Sequence, residues 1–239
     1  MLPPDVPVAI LAGGLGSRLR SVVSDRPKVL ATVSGRPFLA WWLDAIARHG
    51  PRDVVLCSGY MAEKIEAEFG VSHGPLRLRY SAETSPLGTG GCLRQAWEFF
   101  FPETMMVLNG DSYCAPDLAG FFQLFQESGA AAGMVLREMD DTSRYGRVAL
   151  AEDGMVASFS EKGSQAGPGW INMGVYLLRR SLVESLPHGV PSSIERDHFP
   201  AWISRRILGF RYSGPFLDIG TPESYAEAES FFSALRPSP

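Results

Sequence analysis

The chain has 239 residues, 45% of them hydrophobic, with a formal net charge of -4 at pH 7, enough to bury the core of one large α/β domain without disulfide staples. The acidic balance argues against broad nucleic-acid binding while permitting a local basic pocket for phosphates. No stretch approaches the roughly 20 apolar residues of a membrane-spanning helix, no export signal opens the chain, and Cys57, Cys92 and Cys114, odd in number and widely spaced, read as reduced thiols in a cytoplasm.

The first element is a continuous apolar run, Val6 to Leu11, that ends at Ala12-Gly13-Gly14: a buried strand feeding a glycine loop. Phe38, Leu39, Trp42, Leu43 and Ile46 recur at three- and four-residue steps and predict a helix stopped by Gly50-Pro51. A strand at Asp53 to Cys57, a helix near Ala62 to Phe69, a strand at Leu76 to Tyr80, a helix from about Gly90 to Phe100 and a strand at Met105 to Leu108 continue a βαβ rhythm. Leu118, Phe121, Phe122 and Phe125 then form an apolar stripe on the helix after Pro116. Beyond residue 130 the runs shorten to Ala131 to Arg137, Arg147 to Ala151, Met155 to Phe159 and Ile171 to Leu178, which read as strands added to the same sheet. Ser192 to Ile203 reads as a further helix, and Phe210 and Phe216 to Leu217 as short strands. Thr221-Pro222-Glu223 supplies an N-cap, a first-turn proline and a first-turn acid for a last helix. No repeat, linker or low-complexity tract interrupts the chain, so residues 1 to 239 are expected to form a single domain.

Two sets of residues carry chemistry. In Leu11-Ala12-Gly13-Gly14-Leu15-Gly16-Ser17-Arg18, glycines after a buried strand let backbone N–H groups approach an anion, and Arg18 adds a forked cation. Taken alone, such a loop fits a tight turn equally well. Arg26-Pro27-Lys28 brings a second cation on a proline-stiffened segment. A dinucleotide fingerprint would need glycine at Leu19, and a P-loop needs a Gly-Lys pair that the chain lacks. The second set is acidic. Asp111, in Asn109-Gly110-Asp111, follows a strand, where open α/β sheets place their ligand crevice. Asp218 stands inside the apolar run Phe216-Leu217-Asp218-Ile219-Gly220, and a carboxylate in such company requires a cation or hydrogen-bond donors. Magnesium on a triphosphate needs one or two protein carboxylates; a turn cap at Asp111 and a helix anchor at Asp218 remain the plainer alternative.

Taken in order, these motifs together with Pro86-Leu87-Gly88-Thr89-Gly90-Gly91, Glu161-Lys162 and Asn172-Met173-Gly174 resemble the sugar-1-phosphate nucleotidyltransferases along almost the whole chain. Within that family the run Arg18 to Val23, Ser143-Arg144-Tyr145-Gly146 and Asp218-Ile219-Gly220-Thr221-Pro222 are similar to the bacterial D-glycero-α-D-manno-heptose 1-phosphate guanylyltransferases. Ser17 and Val29 depart from the threonine and proline common at those places, and neither carries a charge. The resemblance implies a single-domain, Rossmann-like three-layer α/β sandwich with a mixed, mostly parallel sheet, of the nucleotide-diphospho-sugar transferase type. Residues 1 to 130 would mainly bind nucleotide and 131 to 239 mainly sugar.

It also implies roles. Leu11, Ala12, Gly13, Gly14, Gly16, Ser17 and Arg18 would hold the triphosphate, with Arg18 on the departing pyrophosphate and Lys28 near the reacting center. Asp111 and Asp218 would carry Mg2+, beside Asn109 and Gly110. Glu83, Pro86 and Gly88 would face the base. Glu161 would accept sugar hydroxyls, Lys162 would grip the sugar phosphate, and Gly146 and Asn172 would line the same pocket. A carboxylate at Glu83 suits the N1–H and 2-amino edge of guanine, which favours GTP over UTP or dTTP; a backbone-bonded glutamate would explain the same letter. The implied reaction is a single in-line displacement in which a sugar 1-phosphate and GTP give GDP-heptose and pyrophosphate. Mannose 1-phosphate and N-acetylmuramate 1-phosphate remain open as acceptors. No Asp-x-Asp motif supports a glycosyltransferase, and the intact Arg18, Lys28, Asp111, Lys162 and Asp218 weigh against a non-catalytic sensor of nucleotide sugars. The expected partners are the two substrates, without nucleic acid or membrane; a homo-oligomer is compatible with the sequence. A single activity is expected, since the chain closes soon after its last predicted helix.

Overall fold

The computed structural model describes residues 1–100, 102–143, 145–160 and 167–235. The elements of the first half are β1 (Val8–Leu11), a hairpin of β2 (Thr32–Val33) and β3 (Arg36–Pro37), α1 (Phe38–His49), β4 (Asp53–Ser58), α2 (Ala62–Phe69), β5 (Ser72–His73), β6 (Leu76–Ala82), α3 (Gly88–Trp97), β7 (Thr104–Asn109), β8 (Ser112–Cys114) and α4 (Leu118–Ser128). The second half adds β9 (Ala132–Met139), β10 (Arg147–Leu150), β11 (Val156–Ser160), β12 (Gly169–Arg179), α5 (Arg180–Val183), α6 (Phe199–Trp202), β13 (Ile207–Arg211), β14 (Phe216–Asp218), α7 (Pro222–Ala226) and α8 (Ala228–Leu235).

Ten of the strands form one sheet, ordered β11-β10-β12-β7-β1-β4-β6-β5, with β9 paired to β12 and β13 paired to β9. The center is parallel: β7, β1, β4 and β6 lie side by side in register, Val8 opposite both Val54 and Met106. Following the pairings outward, β9, β10 and β13 run the same way as this center, and β5, β11 and β12 run against it. The sheet is therefore mixed and mostly parallel.

Alternation along the strands builds two cores. Val8 and Ile10 of β1, Val54 and Leu56 of β4, and Met106 and Leu108 of β7 point to a face covered by Trp42 and Leu43 of α1, Phe121 and Phe125 of α4, and Phe232 of α8. Their neighbours Ala9, Val55, Cys57, Met105 and Val107 point to the other face, under Leu93, Ala96 and Trp97 of α3 and under Phe199 and Trp202. Strands buried on both sides read as continuous apolar runs for this reason, and the result is three layers. Two helix starts are capped as their sequences require: Asp117 accepts from Gly120 N at 3.0 Å, and Thr221 and Ser224 form a reciprocal capping box with Pro222 in the first turn.

Two helices differ from expectation. Ser192 to Ile203 is not one helix but a π-turn at Ile194–His198, then α6, then a 3-10 turn at Ile203–Arg205. Pro200 lacks the N–H that would continue an α ladder from the preceding turn, and Phe199 N–H reaches back to Ile194 O in the wider ring instead. The last helix is split into α7 and α8, separated by Glu227 alone.

The layering predicts unequal costs for two neighbours on α4. Phe121→Ala empties a fully buried site and is expected to lower unfolding free energy by about 3–5 kcal/mol; Leu124→Ala, 43% exposed, should stay within about 0.5 kcal/mol of the parent. Urea titration of both variants checks this, and equal losses would contradict the assigned face.

Candidate active site

The site forms along the carboxyl ends of the parallel strands. β1 ends at Leu11, whose carbonyl accepts Gly110 N–H at 2.9 Å, so the glycine loop and the turn after β7 leave the sheet side by side. Ala12 is buried and its N–H bonds Cys57 O at 2.8 Å, which leaves Gly13 and Gly14 as the first loop residues able to meet a ligand. A hollow of about 450 Å³ opens there, lined by Leu11, Gly13, Gly14, Tyr60, Glu83, Pro86, Gly88, Thr89, Asn109 and Asp111 among others. Gly16, Ser17, Arg18 and Gly110 flank it without lining it; Arg18 is exposed, and among the described residues no ion pair neutralises it.

Glu83 leans into the loop. A Cβ on Gly13 would collide with its Oε1, so a larger residue there would push the carboxylate out of this position. Its other oxygen, Oε2, accepts the N–H of Leu87. Burial pushes the Glu83 carboxyl up from its ordinary range, and the Leu87 N–H works against that rise. The glutamate is thus bonded to backbone through one oxygen and retains the other at the hollow. Gly88 is equally constrained: its φ is +67°, and a Cβ would strike the backbone carbonyl of Ser192, so the start of α3 lies against the segment before the π-turn.

Three charged groups converge where the first hollow ends. Asp111 occupies the turn between β7 and β8, and Asp218 closes β14, which pairs antiparallel with β8 so that Asp218 lies opposite Ser112. Trp42 Nε1 donates to Ser112 O at 2.6 Å, tying this turn to α1. Lys28 Nζ donates to Asp111 Oδ2 at 2.8 Å. The Gly220 N–H bonds Asp218 Oδ1 at 2.6 Å, and a Cβ built on Gly220 would touch that oxygen and stand 3.4 Å from Lys28 Nζ. The ammonium is paired with Asp111 and lies near the turn that follows Asp218. The Lys28 side chain is 11% exposed and that of Asp111 40%; a pair this wet contributes little to stability. Its consequence is local, a cation held against Asp111 at the edge of the hollow.

Asp218 also lines a second hollow of about 540 Å³, together with Ser112, Tyr145, Gly146, Phe159, Ser160, Asn172, Gly174, Glu195, Arg196 and Phe216. Asn109 lines both hollows. Asp111 lines the first hollow and Asp218 the second, the two hollows adjoin at Asn109, and the Ile219 N–H bonds Asp111 O at 3.0 Å, which joins the two acid-bearing segments. Gly146 and Asn172 both line this second hollow. Glu161 and Lys162 lie outside the described residues, as does Arg144; Ser160, which lines the second hollow, directly precedes the former pair. Among the described residues no cluster of three or more His, Cys, Asp or Glu could hold a metal, so an ion here would depend on two carboxylates and on ligand oxygens. No helix among the described residues is long and apolar enough to cross a membrane.

Sequence reasoning missed Tyr60, Thr89, Tyr145, Glu195 and Arg196 as lining residues. Thr89 and Tyr145 stand inside motifs already singled out. Tyr60, Glu195 and Arg196 carry no local signal, because a tyrosine after a strand and charges on a polar turn read as surface.

The chain belongs to the nucleotidyl transferase family, whose model matches residues 8–234. The D-glycero-alpha-D-manno-heptose 1-phosphate guanylyltransferase of Aneurinibacillus thermoaerophilus is 35% identical over 221 residues, covering 92% of this chain and 95% of that protein. The mannose-1-phosphate guanylyltransferase of Mycobacterium tuberculosis is 32% identical over 244 residues, covering 100% of this chain and 68% of that one. The crystal structure of HddC from Yersinia pseudotuberculosis complexed with GMP-PN matches at 34% identity and a TM-score of 0.84, covering 95% of this chain and 99% of that chain.

The glycine geometry yields a paired test. Gly88→Ala forces both strain and a backbone collision and should destabilise by about 1–3 kcal/mol; Gly14→Ala, with nothing within 4 Å of the added carbon, should stay within about 0.5 kcal/mol. Thermal unfolding compares them, and faster amide exchange at residues 190–198 should accompany only the first.

Proposed function

We propose that this protein transfers a guanylyl group from GTP to D-glycero-α-D-manno-heptose 1-phosphate, releasing pyrophosphate and forming GDP-heptose. The observation that carries the reading is the junction of the two hollows at Asn109, with Lys28, Asp111 and Asp218 gathered beside it. Each hollow falls in the size range of small-molecule sites, and a reaction joining two phosphorylated substrates needs adjoining pockets with charge at their seam. Guanine as the base is supported by both relatives being guanylyltransferases and by the GMP-PN complex of HddC. Mannose 1-phosphate is the second acceptor to weigh, because the Mycobacterium tuberculosis relative bears that activity in its name across the whole length of this chain.

In this reading the first hollow takes GTP. Gly13 and Gly14 present backbone N–H groups to the triphosphate, and Arg18, exposed and without an ion pair among the described residues, meets the departing pyrophosphate. The remaining oxygen of Glu83 faces the base. The second hollow takes the sugar phosphate, with Gly146 and Asn172 along its wall and Glu161 and Lys162 on its hydroxyls and phosphate. An oxygen of the sugar phosphate attacks the α-phosphorus as the bond to the pyrophosphate oxygen opposite breaks. No side chain acts as a nucleophile; the residues align the two phosphates and neutralise their charge.

Mg2+ would sit at the seam, where Asp111 and Asp218 stand on segments joined by the bond from Ile219 N–H to Asp111 O at 3.0 Å and a pair of carboxylates suits a hard cation. The two aspartates would hold the ion, which when bound supplies positive charge to the triphosphate oxygens. Lys28, which pairs with Asp111, would contact the phosphates near the reacting center.

Pyrophosphate release across a matrix of GTP, ATP, UTP and dTTP against heptose, mannose and N-acetylmuramate 1-phosphates tests the assignment. The largest kcat/KM is expected for GTP with heptose 1-phosphate; activity confined to UTP or dTTP would overturn the base assignment. Asp111→Asn and Asp218→Asn are each expected to lower kcat by about a hundredfold or more, and near-normal rates for both at saturating magnesium would remove the metal site.

A further inference from the structure

The second hollow contains a carboxylate to which the reaction above gives no role. Glu195 lies in the π-turn Ile194–His198, an irregular backbone form that recurs at functional sites, and it lines the hollow beside Asn172. Its hydrogen bonds can be assigned a direction. Gly174 N–H donates to Asn172 Oδ1 at 2.9 Å, which turns the Asn172 amide nitrogen toward Tyr176 Oη at 2.7 Å. Because Tyr176 Oη accepts there, its own proton goes to Glu195 Oε1, at 3.4 Å. Thr89 Oγ1 accepts Ile194 N–H at 2.8 Å and so donates to Glu195 Oε2, also at 2.8 Å. Ser193 Oγ accepts Arg196 N–H at 3.2 Å and donates to Oε2 at 3.1 Å.

An ionised carboxylate offers about four acceptor positions. Three hydroxyls occupy positions on Glu195, two of them on Oε2, while Oε1 has one long bond and a position to spare. A group held this firmly from three sides, with acceptor capacity left over at the edge of a polar cavity, is built to receive a hydroxyl donor. We propose that Glu195 is a specificity-determining residue that accepts a hydrogen bond from one sugar hydroxyl through Oε1, with Tyr176, Thr89 and Ser193 fixing its orientation. The proposal rests on the second hollow being the sugar phosphate site.

The test is a cycle between protein and substrate. Rates with GTP are measured for the parent chain and for Glu195→Gln, using heptose 1-phosphate and its singly deoxygenated analogues. A hydrogen bond to a charged acceptor predicts a roughly ten- to hundredfold drop in kcat/KM for the parent on one particular analogue. The Gln variant should lose a similar factor on the complete sugar, keep its KM for GTP, and show no further loss on that same analogue. Equal losses on every analogue, no loss on the complete sugar, or a change confined to GTP would each overturn the assignment. Should Glu195→Gln fail to fold, Glu195→Asp, which keeps the charge and withdraws it by one methylene, carries the same cycle. A parent chain inactive with every sugar phosphate would instead refute the reaction itself, so the two failures are separable.

Discussion

The pairing of β14 with β8 is the constraint from which the site follows. Two three-residue strands, too short to contribute much stability, set Asp218 opposite Ser112 and so bring two acids from distant parts of the chain to one seam. Like charges in proximity repel, and the Lys28 ammonium, 2.8 Å from Asp111 Oδ2, supplies opposite charge to one of them. At an effective dielectric of about 20 a unit pair 4 Å apart is worth about 4 kcal/mol in gross interaction, yet desolvation and side-chain ordering consume most of that at a site this exposed. Stability therefore gives no reason for the arrangement.

The sheet topology decides what else reaches that seam. In the parallel center every strand ends at the same edge, so the loops after β1, β6 and β7 share one hollow. β12 runs the other way beside β7, with Val175 opposite Leu108, and this reversal carries Asn172 and Gly174 past the end of β7 to the far side of Asn109. A second cavity then forms against the first without a second sheet. The register of β12 with β9 shifts between Asn172 and Tyr176, the stretch that faces Glu195. Irregularity is concentrated where the strand borders the cavity, while its continuation to Arg179 keeps regular pairing.

Much of this was legible because burial on both faces writes itself into sequence. Val8–Leu11, Val54–Cys57 and Met105–Leu108 are apolar throughout, and α1 and α4 carry stripes at helical spacing, so their types could be read directly. Asp218 stood out as an acid in an apolar run, and Asp111 by its place after a strand. What escaped was set by partners far away in the chain. Three residues cannot show periodicity, so β8 was invisible, and the π-turn depends on Pro200 breaking a ladder whose spacing otherwise looks helical. Glu195 and Arg196 resemble any charged turn; only packing against Thr89, more than a hundred residues earlier, distinguishes the glutamate. Glu161 and Lys162, outside the described residues, were singled out through family resemblance alone.

Thr89 belongs to both hollows in effect. It lines the first, one residue beyond Gly88, and its hydroxyl holds the carboxylate that lines the second. Ser192 N–H bonds Leu87 O at 2.9 Å and Gly90 N–H bonds Ser192 O at 2.8 Å, so the start of α3 and the segment leading into the π-turn are joined by backbone as well. A loop that shifts to admit a triphosphate therefore moves against the support of Glu195. Any resulting coupling has to be reciprocal, because a nucleotide that changes the affinity for sugar phosphate is changed in its own affinity by the same factor. Its size is limited by how far the two arrangements of this backbone differ, and the close contact at Gly88 leaves room for few of them.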